Sequence, residues 1–113
     1  MKLILKEQYE KLRNNATRGL EKSITDEKVV VKLFNPSGSA TWWIYSIDDN
    51  GDCFGVAQLF GRDTREYGYF NIDEIKAIKC PPFGLGIERD MYYTPETFGE
   101  LLWAKNITKV VKK

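Results

Sequence analysis

Apolar positions along the chain switch between two periods, and the switches divide it into elements. From Lys2 to about Asn15, Leu5, Tyr9, Leu12 and Ala16 fall at i, i+4, i+7 and i+11, one stripe of a helix. Lys6–Glu10 and Glu7–Lys11 are opposite-charge pairs four apart on its polar side. Asn14 and Asn15 weaken the pattern, and Gly19 is the expected stop for a helix that runs so far. Thr17 to Asp26 reads as a polar connector with room for a second helical turn.

The next stretch has strand character. Lys28 to Phe34 carries Val29, Val30 and Val31, β-branched residues suited to a packed, pleated surface. Asn35-Pro36-Ser37-Gly38-Ser39 stops that run. Ala40 to Ile47 follows, with Trp42 and Ile44 on one face and Trp43, Tyr45 and Ile47 on the other; two apolar faces predict a central strand. Asp48-Asp49-Asn50-Gly51-Asp52 is a hairpin signal, since Asn-Gly tolerates positive φ. Cys53 to Phe60 is a third strand, with Phe54, Val56 and Phe60 on one side. Its other side carries Cys53, Gly55, Ala57 and Leu59, small enough for a helix or an aromatic surface to approach closely. Glu66 to Phe70 is a fourth, with Tyr67 and Tyr69 sharing a face.

Asn71 is placed to cap a short helix over Ile72 to Ile78, with Glu74 at the third position. Cys80-Pro81-Pro82-Phe83-Gly84 is a rigid linker, and Leu85 to Tyr93 reads as a fifth strand. Thr94-Pro95-Glu96 resembles a helix start, with a hydroxyl cap, proline and an acid in order. Phe98, Leu101 and Leu102 are that helix's apolar stripe, and it should stop near Asn106. The expectation is one α+β domain over residues 1–113: a mainly antiparallel sheet of about five strands with N-terminal and C-terminal helices packed on it.

Composition narrows the chemistry more than it names a function. The chain has 113 residues, 42% of them hydrophobic, enough for one core. Net charge is +1, neither a basic nucleic-acid coat nor an acidic DNA mimic. The absence of histidine removes histidine triads and most zinc sites. Cys53 and Cys80 fit no metal-type spacing and read as two reduced thiols of a cytoplasmic protein. The start, Met1 to Lys6, is too short in apolar residues for a signal peptide, and no run approaches a membrane span.

Four patterns invite chemistry. The Asp48–Asp52 turn is not a calcium loop, because Cys53 and Leu59 occupy positions six and twelve, where glycine and an acid are needed. Gly84-Leu85-Gly86-Ile87 is not a phosphate loop, since Arg89 replaces the third glycine and a strand follows. Glu88-Arg89-Asp90 would put two carboxylates on one strand face and Arg89 on the other; Glu66 would join them if the fourth and fifth strands paired. That trio is the one candidate for a carboxylate-dependent metal enzyme. The aromatics lack basic interleaving: Ser46 to Glu74 holds seven acids against Arg62 and Arg65, and the positive charge lies at the chain's two ends. Most are therefore expected in the core, with one or two exposed Tyr or Trp residues left to anchor a protein interface.

An ordered set of motifs resembles a family of small, uncharacterised proteins, a domain of unknown function carried on bacterial plasmids, phages and other mobile elements. The set is Val31-Lys32-Leu33-Phe34-Asn35-Pro36, Thr41-Trp42, Gly51-Asp52 with Phe54-Gly55, Glu66-Tyr67-Gly68-Tyr69-Phe70, and Gly84-Leu85-Gly86-Ile87-Glu88-Arg89-Asp90. It runs from about Val29 to Leu102; Tyr67 stands where leucine is usual. The resemblance implies a mobile-element accessory protein and supplies no mechanism.

The resulting expectation is a non-catalytic binder that blocks a host macromolecule, such as a defence nuclease, in the manner of an anti-CRISPR protein. Partner-binding residues are expected at Asp48, Asp49, Asp52, Glu66, Glu88, Arg89 and Asp90. No cofactor and no membrane are expected, and the partner is a host or element-encoded protein. The alternatives are the carboxylate metal enzyme and a nucleic-acid accessory gripping phosphate through Lys109, Lys112 and Lys113.

Overall fold

Turn chemistry organises the sheet in the computed structural model, which describes residues 2–19, 23–61 and 64–104. Asn35 accepts the Ser37 amide on its side chain at 2.8 Å and donates its own N–H to Ala40 at 2.9 Å, reversing the chain between β1 (Val31–Phe34) and β2 (Thr41–Ile47). The Asp48 carboxylate accepts from the Asn50 and Asp52 amides at 2.8 and 2.9 Å, and Gly51 takes φ +82°, turning β2 into β3 (Asp52–Gln58). With β4 (Glu66–Asn71) and β5 (Glu88–Arg89), the order is β4-β3-β2-β1-β5, every neighbouring pair antiparallel. The expected five-stranded antiparallel α+β architecture is what forms.

β2 is the middle strand, as its two apolar faces require, but one residue changes side. A register shift between Ile44 and Ser46 inserts Tyr45 as an extra residue. Ile47 therefore joins Trp42 and Ile44 in one buried cluster, while Trp43 and Tyr45 belong to the other. Strict alternation had grouped Ile47 with Trp43 and Tyr45; a period of two cannot anticipate a bulge. Two side chains of α1 (Lys6–Arg18) reach carbonyls beside it: Asn15 donates to Tyr45 O at 2.8 Å and Arg13 to Ile47 O at 3.1 Å.

The helices cover both faces. α1 and α2 (Ile72–Lys76) lie on the side of Leu33, Ile44 and Cys53, through Leu12, Ile72 and Ile75. α1 begins at Lys6 rather than Lys2, and of the expected stripe only Leu12 is buried; Leu5 and Tyr9 stay exposed. Gly19 ends it at φ +74°. Asn71 caps α2, accepting from the Asp73 amide at 2.8 Å. On the opposite face Phe98, Leu101 and Leu102 pack against Val29, Trp43, Tyr45 and Val56.

Two expectations for the C-terminal third are corrected. The fifth strand shrinks from Leu85–Tyr93 to Glu88–Arg89, because Gly84 turns the chain at φ +69° and Asp90 accepts the Tyr92 amide to turn it again. Thr94-Pro95-Glu96 does not start a helix. It leads into extended backbone that pairs with Glu27–Val29: Val29 donates to Glu96 O at 2.9 Å, and Phe98 to Glu27 O at 3.0 Å. The cap is Thr97, three residues later, in a reciprocal box. Its hydroxyl accepts from the Glu100 amide at 3.0 Å, and the Glu100 carboxylate accepts from the Thr97 amide at 2.9 Å. A π-helical turn, Glu100–Ala104, follows. The expected end near Asn106 lies outside the described residues.

Thr97→Ala should cost about 1 kcal/mol in a urea titration, the usual worth of a lost N-cap, whereas Thr94→Ala should cost less than half of that. Equal losses would show that the helix is not capped at Thr97.

Candidate binding surface

The expected site residues do not converge. Glu66 opens β4 at one edge of the sheet; Glu88 and Arg89 form β5 at the other. Four inter-strand spacings of about 4.8 Å separate the two edges, roughly 19 Å. β4 and β5 do not pair, so the trio Glu66, Glu88 and Asp90 forms no common ion site. Asp90 instead forms an ion pair with Lys32 at 3.7 Å, and Arg89 donates to the Lys2 carbonyl. Among the described residues, no group of three or more Cys, Asp or Glu side chains is placed to hold a metal ion.

The acidic turn is partly committed to the fold. Asp48 organises the hairpin, and Asp52 accepts from the Asn71 side chain at 2.9 Å. Asp49 is 87% exposed yet paired with Arg13 at 2.6 Å. All three remain at the surface, so their charge is presented, although their geometry serves the turn first. Between this turn, the start of α1 and α2 lies a cleft of about 630 Å³. Its floor is Leu3, Ile47 and Ile72, and its rim mixes Lys2, Lys6 and Lys76 with acids, so it presents no single charge.

Trp42 and Trp43 are buried. Trp43 lies under the Arg65 guanidinium, 4.6 Å from the ring centre, and Arg65 also donates to Gln58 at 2.7 Å and to Leu101 O at 2.9 Å. Arg65 thus bridges β3 to the C-terminal turn, a role its sequence context, a polar loop, did not signal.

Part of the exposed aromatic surface belongs to tyrosines on β4. Tyr69 is 80% exposed and Tyr67 is 52% exposed. Both rings meet Phe54 on β3, at 5.1 Å for Tyr69 and 6.3 Å for Tyr67, and Phe54 in turn meets Tyr45 and Phe98. The shared face expected for Tyr67 and Tyr69 is thus the C-terminal helical face at its outer margin. Phe83, Met91 and Tyr92 are exposed in the segments flanking β5.

Cys53 and Cys80 are free and buried in one cluster. Burial, and after it the charges of Asp48 and Asp52, pushes the Cys53 thiol up to about 12 from an ordinary 9.0. Folding therefore favours the protonated thiol. Its contribution is complete below about pH 9 and is lost as pH rises through the folded value near 12. Wild type should lose stability more steeply than Cys53→Ala between those two values, measured as the urea midpoint at each pH. Parallel profiles would show that this thiol does not carry the alkaline loss.

Among the described residues no helix is long and apolar enough to cross a membrane. Lys109, Lys112 and Lys113 lie outside the described residues. No curated protein and no solved structure matches the chain. A family profile described as "Protein of unknown function (DUF2958)" matches residues 3–107, and with nearly the whole sequence covered the chain belongs to that family.

Proposed function

We propose that this protein is a non-catalytic accessory factor of a mobile genetic element or phage. It acts in the cytoplasm by binding a host macromolecule and blocking it sterically, with an anti-CRISPR-like inhibitor of a defence nuclease as the sharpest form. The observation that carries the binding reading is the exposed aromatic margin of β4, Tyr67 and Tyr69, beside the acidic Asp48–Asp52 turn. Exposed tyrosines anchor protein interfaces, and the surrounding carboxylates suit a basic partner. The link to mobile elements comes from the motif resemblance. The separation of Glu66 from Glu88 and Asp90 removes the support that the metal-enzyme reading drew from strand pairing.

The test is capture from nuclease-treated host lysate by tagged wild type, Tyr69→Glu and Phe83→Ser. Phe83 is 81% exposed but follows α2 on the approach to β5, away from β4 in the sheet order, so it is the control. A protein retained by wild type and Phe83→Ser but lost from Tyr69→Glu supports the reading. If it is a guide-directed nuclease, stoichiometric wild-type protein should stop its DNA cleavage. Capture that disappears on nuclease treatment, or that ignores Tyr69→Glu, counts against it.

A further inference from the structure

Beside the β4 margin lies a second cavity, of about 290 Å³, and the charged side chains among its described lining residues are both aspartates. Tyr45, Phe54 and Tyr69 supply aromatic walls, Asp48 and Asp52 supply carboxylates, and α1 closes one side with Asn15. Among the described residues no lysine or arginine lines it; the Arg18 guanidinium borders it, donating to Asn15 Oδ1 at 2.7 Å and to the Tyr45 hydroxyl at 3.2 Å, and is paired with Glu27 at 3.8 Å. The volume falls just below the range of small-molecule pockets, about 300–1,000 Å³, and suits a single side chain.

The geometry points to this cavity as the receptor for one arginine side chain of a protein partner. The inference rests on the binding reading above and names the chemistry it would use. Aromatic faces attract a cation, and a guanidinium offers what an ammonium does not: a flat surface to lie on a ring, with N–H groups in its own plane for a carboxylate. The aspartates that organise the turn are already held in place. Asp48 is fixed by two backbone amides, and Asp52 by the Asn71 side chain, so little order is lost on binding. The Phe54 and Tyr69 rings are in contact, 5.1 Å apart and tilted by 53°, so together they offer a continuous aromatic wall to an occupant.

The probe is Nα-acetyl-arginine N-methylamide, titrated into the isotope-labelled full chain and followed by amide chemical shifts. Its uncharged counterpart built on citrulline and its lysine counterpart are run beside it. Saturable shifts are expected at Asn15, Ser46, Asp52, Phe54 and Tyr69, with a millimolar dissociation constant as for any ligand of so few atoms. Citrulline should bind at least ~10-fold more weakly and lysine at least ~3-fold more weakly. Tyr69→Ala and Asp52→Asn should each weaken the arginine probe at least ~5-fold while leaving the spectrum folded. Equal binding of citrulline or lysine, shifts mapping elsewhere, an indifferent Tyr69→Ala, or no response would each overturn the assignment. Probe binding without macromolecular capture would keep the pocket and sink the function; capture without probe binding would do the reverse.

Discussion

Gly55→Ala should destabilise the fold severely. Gly55 sits on β3 opposite Ile44, where the β2 register breaks. A Cβ there would overlap the carbonyl oxygen of Trp43, lie 2.9 Å from its carbonyl carbon and 3.1 Å from the Ile44 Cα. All three are backbone atoms of the central strand, so no rotamer change relieves the clash. Relief means moving β2, which carries Trp42 and Ile44 into one buried cluster and Trp43 and Tyr45 into the other. Overpacking of this kind costs about 3 kcal/mol or more, a large part of a small domain's stability, and should lower the melting temperature by at least ~10 °C. Gly68→Ala on β4 is the control, because a Cβ there meets nothing within 4 Å. It should change stability by less than ~0.5 kcal/mol. Equal effects would mean that the close approach of β2 to β3 does not exist.

That contrast shows where sequence reading stops. The strand cores, the Asn-Gly hairpin and the Asn71 cap were legible, because each rests on local chemistry: β-branched runs, positive φ, a side-chain acceptor near an amide. The small face of β3 was legible as a place of close approach, but sequence could not say that the approaching group would be the Trp43 carbonyl. The bulge at Tyr45 is a tertiary compromise that places residues on both clusters, and it leaves no residue signature. Thr94-Pro95-Glu96 looked more like a helix start than Thr97 did. Thr97 prevailed because the preceding residues were needed to pair with Glu27–Val29, a partner 69 positions away along the chain for the isolated Lys28–Thr97 bridge. The condition for Glu66 to join Glu88 and Asp90 was beyond sequence for a similar reason. Glu66, Glu88 and Asp90 are close only if β4 meets β5, and strand order is set by how the chain wraps its core. The acidic turn and the Tyr67–Tyr69 face were both visible separately; that Phe54 and Tyr45 join them around one cavity required the sheet register.

The same wiring makes Phe98→Ala the second large effect. Phe98 is fully buried, and its ring lies 5.7 Å from both Tyr45 and Phe54. It is the first apolar residue after the Thr97 cap, and its amide donates to Glu27 O, so it fixes the C-terminal turn to the sheet at side chain and backbone together. Truncation should cost about 3–5 kcal/mol, the range for a buried aromatic that leaves a cavity. Leu33→Ala, also fully buried but in the cluster on the opposite face, should cost about 2–5 kcal/mol by the same mechanism. Stability alone will not separate the two; the cavity will. Tyr45 and Phe54 are both Phe98's ring neighbours and the inner walls of the arginine site. In Phe98→Ala, measured at a temperature where both variants remain folded, the arginine probe should bind at least ~5-fold more weakly than in Leu33→Ala. Comparable binding in the two variants would mean that the core beneath the aromatic margin does not hold the pocket's walls in place.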